Sequence, residues 1–230
     1  MSDFFRFPHT PHVAWLAAGE PRDDKVLAPA DAALLLSGVV VLEEKIDGAN
    51  LGLSVGPDGE VRAQNRGQYL LHPFGGQFER LGQWLRLKQD ALFDALGEDL
   101  ILFGEWCAAR HSLEYQALPG WFVGFDVYDR RQQQFWSTRR RDLLLEGLGL
   151  PAIRRINEGH FSLEQLKGFV MTGGSQYRDG HMEGLVIRKE DEDWLQMRAK
   201  LVRPDFTQAI DTHWRKRRIE WNRLRTRDDA

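Results

Sequence analysis

Residues 50–64 constrain the fold most. Two strand-forming runs, 50–55 and 60–64, are separated only by Gly56, Pro57, Asp58 and Gly59, and turn residues of this kind between alternating apolar positions specify an antiparallel hairpin. A chain that opens its regular structure on such a hairpin commits early to sheet. The same pattern recurs around it. Residues 39–44 form an apolar run just upstream, 100–105 and 121–128 read as short apolar strands, and 183–189 and 194–200 read as a second hairpin around an acidic turn. Helical spacing appears over 75–97, where Phe78, Leu81, Leu85, Leu92 and Phe93 recur near a 3.6-residue period. Short helices are predicted from a cap at Asp31 to about Ser37, and over 138–148 and 162–171, each opened by a capping hydroxyl. Pro8, Pro11, Pro21 and Pro29 break the first thirty residues into an irregular flank. With no internal repeat and no low-complexity linker, one α+β domain over 1–205 is expected, followed by a basic, helical tail over 206–230.

At 230 residues and 42% hydrophobic content, the chain can bury a sizeable core. A single cysteine, Cys107, excludes an intrachain disulfide framework and a cysteine-based zinc cluster. No run approaches the roughly 20 apolar residues of a membrane span, and residues 1–30 lack the pattern of a secretory leader. A soluble, cytoplasmic protein is expected. The net charge of -3 does not itself announce a nucleic-acid partner, but charge is uneven. Arg215, Lys216, Arg217, Arg218, Arg223, Arg225 and Arg227 face one acid, Glu220. Such a tail either tracks phosphates, with Trp214 or Trp221 stacking on bases, or is a solvated helix packed by Trp214, Ile219 and Leu224.

Chemistry-bearing residues gather at the predicted strand ends. Lys45, Ile46, Asp47 and Gly48 follow the strand 39–44, flanked by Glu43 and Glu44; Arg66 follows the first hairpin. Then come Phe103, Gly104, Glu105 and Trp106; the strand 121–128 centred on Phe125 and Asp126; Glu183, Gly184, Leu185, Val186 and Ile187; and 197–201 with Arg198 and Lys200. Each has an ordinary explanation. A loop lysine is usually solvated, Glu105 could pair with Arg110, Phe125 could be plain sheet core, and Arg66 could be a surface charge. Their order along the chain carries more weight than any one of them.

In that order the elements resemble the covalent nucleotidyltransferase superfamily of ATP-dependent DNA ligases, RNA ligases and mRNA capping enzymes, over about residues 42–205. The resemblance implies an ATP-grasp-like domain with antiparallel sheets flanked by helices. It also implies ATP and Mg2+ (or Mn2+) as cofactors, and Lys45 as the nucleophile that becomes lysyl-AMP. Asp47 would fix the nucleophile loop, with Gly48 allowing its tight backbone. Glu44, Asn50, Arg66, Glu105 and Phe125 would belong to the nucleotide site, Glu105 on the ribose and Phe125 on the adenine. Glu183 would be the metal-associated carboxylate, while Lys200 and Arg198 would face the phosphates. Arg198 stands where the family more commonly has lysine, and a planar guanidinium is not a flexible point charge. The attack needs a neutral amine, although lysine's reference pKa is about 10.4; neighbouring cations or a metal would favour the neutral form.

DNA ligases and capping enzymes of this superfamily carry an OB-fold domain after the last of these motifs, and only 30 residues follow Lys200. With Asn50 placed as in nick-sealing RNA ligases, the RNA ligase branch is expected, acting on RNA with 5′-phosphate and 3′-OH ends. A DNA ligase, a capping-type nucleotidyltransferase and a non-enzymatic nucleic-acid-binding relative are the alternatives. Arg66 and the tail residues Arg215, Lys216, Arg217 and Arg218 are the expected nucleic-acid contacts. The tail is expected to play no part in adenylylation.

Overall fold

The computed structural model describes residues 4–21, 25–209 and 219–225, with backbone only at 207–209. Two antiparallel sheets carry the fold. The first has four strands in the order β7-β1-β8-β9: β1 (Val40–Lys45), β7 (Arg155–Gly159), β8 (Gly184–Glu190) and β9 (Leu195–Val202). The second has five strands, β3-β2-β4-β5-β6: β2 (Ala49–Val55), β3 (Val61–Gln64), β4 (Leu100–Trp106), β5 (Phe122–Asp129) and β6 (Gln134–Phe135). The chain therefore changes sheet between β1 and β2, and the residues at that crossing include Asp47 and Gly48. Both expected hairpins form, as β2 with β3 and as β8 with β9.

Helices cover each sheet from outside. Helix α2 (Leu81–Leu96) drives Leu81, Leu92 and Leu96 against Leu51, Leu53 and Leu102 of the five-stranded sheet. Helix α4 (Leu163–Thr172) sets Leu166 and Val170 against Leu42, Leu185, Ile187 and Leu201, joined by Leu35 of α1 (Pro29–Leu35). A capping box between Ser162 and Gln165 starts α4. Helix α3 (Thr138–Gly147) is capped by Ser137, one residue before the expected start, and Glu190 accepts hydrogen bonds from the Thr138 backbone and hydroxyl at 2.9 and 2.8 Å.

Several expectations are corrected here. Asp31 lies in the first turn of α1, not at its cap, which is Ala28 followed by Pro29 at the position where a missing N–H costs nothing. The single helix over 75–97 is a 3-10 turn at Gly76–Phe78 followed by α2. Strands β6 and β7 escaped the sequence reading because both are exposed edge strands without apolar alternation. Helix α5 (Pro204–Ala209) begins the tail, but residues 219–225 are extended and bridge to Ala109 and Leu118. Trp221 lies under the Arg80 guanidinium, 4.2 Å from ring centre to charge, and packs on the core around α2. Thr212, Trp214, Arg215, Lys216, Arg217, Arg218 and Arg227 lie outside the described residues. No helix of the described residues is long and apolar enough to cross a membrane.

A buried ionic seam joins the sheets. Arg188 of β8 donates to Asp126 of β5 at 2.8 Å and to Glu190 at 2.6 Å, and its guanidinium lies 3.8 Å from Glu43 of β1. Glu43 also accepts from Arg141 of α3 at 2.7 Å, while Arg198 of β9 pairs with the other oxygen of Asp126. The side chains of Glu43, Asp126, Arg141 and Arg188 are at most 2% exposed. Buried charges persist only when paired in this way.

Candidate active site

A cavity of ≈ 210 Å³ is lined by both sheets and the N-terminal flank. Lys45, at the end of β1, lines it together with Asn50 of β2, Arg66 just after β3, Glu105 of β4, Phe125 of β5, and Arg198 and Lys200 of β9. Residues spread over 155 positions of sequence thus meet at one place, because the strands that carry them end on one cleft. Asp47 and Glu183 adjoin Lys45 from behind the lining. Glu183 Oε1 lies 2.5 Å from Lys45 Nζ, with Glu183 only 3% exposed and Lys45 28%.

The loop after Lys45 is tightly held. Asp47 Oδ2 accepts from the Ser112 and Leu113 N–H groups at 2.7 and 3.1 Å, and its own N–H donates to the Tyr115 hydroxyl at 2.8 Å. Gly48 is required by close approach: a Cβ there would stand 2.8 Å from the Trp106 carbonyl oxygen and 3.1 Å from Cys107 Sγ. Arg110 pairs with Glu220 at 2.7 Å and Glu114 at 3.5 Å, so the ordinary explanation for Glu105, an ion pair with Arg110, does not hold.

Two of the expected ligands, Glu44 and Arg198, line the cavity and also hold neighbouring groups. The Glu44 carboxylate accepts from Ser175 Oγ at 2.5 Å and the Gln176 N–H at 2.8 Å, which makes it an anchor for that loop. Strand alternation explains this: Glu43 and Lys45 share one face of β1, and Glu44 points to the other. Arg198 is gripped between Phe7 and Phe135, 4.4 Å from each ring centre, and paired to Asp126. It lines the cavity beside Lys200 of the same strand. Sequence reasoning missed Phe7, His9 and Thr10, which also line the cavity. The available signal was Phe4, Phe5 and Phe7 crowded into one short flank: Phe5 stacks on Tyr128 at 3.7 Å, and Phe7 meets Phe125 edge-on at 5.3 Å.

Electrostatically, the Lys45 amine sits among three carboxylates, Glu183, Glu105 and Asp47. Burial pulls the Lys45 pKa down, but Glu183, Glu105 and Asp47 outweigh it and the net shift is upward. In the ligand-free protein, therefore, Lys45 is held as an ammonium, contrary to the neutral amine the chemistry needs. Burial pushes Glu183 up to about 7 and Glu105 up to about 8, against the attraction of Lys45 in both cases.

These carboxylates have a measurable consequence. A group whose folded pKa lies above its unfolded value stabilises the fold at low pH and loses that contribution as pH rises through the folded pKa. With an ordinary glutamate near 4.3 and Glu105 near 8, the ligand-free protein is expected to lose thermal stability from about pH 4.5 to pH 8. Glu105→Gln should flatten that slope, leaving the smaller part due to Glu183. A melting-temperature profile that is equally steep in the variant would remove Glu105 as its source.

Three buried polar atoms at or beside the cleft have no hydrogen-bond partner among the described residues: Asn50 Oδ1, Arg66 Nε and Glu183 Oε2. Buried polar groups are normally satisfied, and an acceptor, a donor and a carboxylate oxygen left open around one cavity suit a phosphate-bearing ligand with a cation. No group of three or more acidic, histidine or cysteine side chains among the described residues is arranged to hold a metal.

The two-sheet fold, with a lysine clasped at its cleft, has the antiparallel sheets flanked by helices that the resemblance implied. A sequence profile described as RNA ligase matches residues 38–202. The chain belongs to the RNA ligase family. Solved structures agree in fold: a Naegleria gruberi RNA ligase with PPi (16% identity, TM-score 0.64, 89% of this chain and 63% of that one) and a variant of the Naegleria gruberi RNA ligase with ATP and Mn (15%, 0.64, 90% and 59%). An archaeal ATP-dependent RNA ligase matches at 21% identity and TM-score 0.55, over 86% of this chain and 48% of that one. The chain thus spans about half to under two thirds of the length of these relatives. No curated protein matches it.

Proposed function

We propose that this protein is an ATP-dependent RNA ligase that adenylylates Lys45, passes AMP to an RNA 5′-phosphate and seals that end to a 3′-OH. The observation that carries the reading is the Lys45 amine lining the cleft, 2.5 Å from the buried Glu183 carboxylate and flanked in the same cavity by Asn50, Arg66, Glu105 and Lys200. In the first step Lys45 Nζ attacks the α-phosphorus; an N–P bond forms, the bond to the pyrophosphate oxygen breaks, and pyrophosphate leaves. The lysine proton must go first, and Glu183 is the group in contact with it. Lys200 and Arg66 answer phosphate charge, Glu105 faces the sugar, and Phe125, with Ile153 and Val186 beside it in the lining, offers an apolar wall to the base. A divalent cation held by Glu183 would neutralise charge on the phosphates and compete with Lys45 for that carboxylate.

Sealing is the reverse logic applied to RNA: the 5′-phosphate takes AMP from Lys45, and the 3′-OH then displaces AMP. The archaeal relative is an ATP-dependent RNA ligase and the Naegleria gruberi RNA ligase variant was solved with ATP and Mn, which supports ATP, Mg2+ or Mn2+, and RNA ends here. Incubation with each nucleoside triphosphate labelled at the α-phosphate is expected to label the protein from ATP, and adding nicked RNA should move label to RNA and produce a sealed strand. Labelling from GTP alone would turn the reading toward a capping-type enzyme, and sealing of nicked DNA but not RNA toward a DNA ligase.

A further inference from the structure

Residues 219–225 lie beyond the family match at 38–202, yet they are woven into the loop between β4 and β5. The Asn222 N–H donates to the Ala108 carbonyl at 3.0 Å, the Arg223 N–H to Tyr115 at 2.9 Å, and the Arg225 N–H to Leu118 at 2.8 Å; in return Arg110 and Leu118 donate to Glu220 and Arg223 at 2.8 and 3.2 Å. At the centre sits Asn222, 3% exposed. Its side-chain oxygen accepts from the Tyr115 N–H at 2.9 Å, and its amide donates to the carbonyls of Cys107 and Ala109 at 2.9 and 3.3 Å. Every hydrogen-bonding capacity of that amide except one lone pair is thereby used.

Tyr115 continues the chain of contacts inward. Its ring is 1% exposed and packs in one cluster with Ile46, Cys107, Leu118 and Tyr177. Its hydroxyl accepts from the Asp47 N–H, while Ser112 and Leu113, from the same loop, hold the Asp47 carboxylate. Asp47 is two residues from Lys45. The C-terminal segment and the loop are thus joined by hydrogen bonds as far as Asp47, and from there to the lysine by two residues of chain.

We infer that Tyr115 and Asn222 are positioning residues for Lys45, and that segment 219–225 is a clasp which fixes the nucleophile loop from outside the nucleotide-binding strands. This rests on the reading of Lys45 as nucleophile. Neither residue lines the cavity; each acts through Asp47. In-line attack tolerates little displacement, and a shift of about 1 Å can cost about 100-fold in rate, so loosening the loop affects the chemical step more than nucleotide binding.

The test uses the full chain and two variants. Tyr115→Phe keeps the ring and deletes only the acceptor for Asp47; Asn222→Ala cuts the clasp further out. Lysyl-AMP formation at saturating ATP should slow about 10-fold in Tyr115→Phe and more in Asn222→Ala, with KM for ATP within about twofold of wild type. Amide hydrogen exchange, which needs no activity, should quicken at Asp47, Ser112 and Leu113 in Asn222→Ala and at Asp47 in Tyr115→Phe. Wild-type exchange at these amides overturns the clasp, as does a wild-type rate constant in the folded fraction of both variants. If wild-type protein forms no adduct, the function proposed above fails, and exchange alone still decides whether the clasp exists.

Discussion

Lys45→Ala is expected to abolish the covalent AMP adduct while leaving the melting temperature close to that of wild type. Among the described residues Lys45 and Lys200 are the two lysines lining the cleft, and Lys200 lies on the edge strand β9, two strands from β1. Loss of the Lys45–Glu183 pair leaves Glu183 buried without its cation, but Glu183 already has a pKa near 7 and can take a proton in place of the lost partner. The variant should therefore fold and still bind ATP. Label on denatured protein after incubation with α-labelled ATP and Mg2+ or Mn2+ gives the answer. Adduct formation at the wild-type rate in Lys45→Ala would exclude it as nucleophile.

Glu183→Ala is expected to slow adenylylation about 100- to 1000-fold, the usual consequence of deleting one preorganised charge at a reacting phosphate. Two effects combine. The variant loses the carboxylate in contact with the Lys45 ammonium, and it loses the buried oxygen left open for a cation. Glu183→Gln separates them, because the amide keeps shape and a hydrogen-bond acceptor but carries no charge. Near-normal adenylylation by both variants with unchanged melting would mean that Glu183 serves the fold alone. Lys200→Ala should fall in the same range, since a cation facing the phosphates is lost without disturbing the ionic seam.

What the sequence disclosed, and what it concealed, follows from the kind of signal each residue leaves. Lys45, Asn50, Glu105, Phe125 and Lys200 sit on strands that are plain in the sequence as apolar runs or hairpin arms, so once the strands are read these residues are found. Glu44 lines the cavity as expected, but its hold on Ser175 and Gln176, more than 130 positions away, left no local signal. The role of Arg198 depends on Phe7 and Phe135, 191 and 63 positions away, and no local pattern reports a partner so distant. Segment 219–225 was hidden by its own composition: basic residues suggested a solvated arm, while the informative residues were one tryptophan and one asparagine among them. Strands β6 and β7 left almost no apolar trace because edges need little burial.

The ionic seam has a mechanical meaning. Prising the two sheets apart would separate Asp126 from Arg188 and Arg198, and unpairing even one such buried contact costs about 3 kcal/mol or more. At that cost a jaw-like opening is populated in fewer than about one molecule in a hundred. The width of the cleft is then set before any nucleotide arrives, and its selectivity is that of a rigid mould.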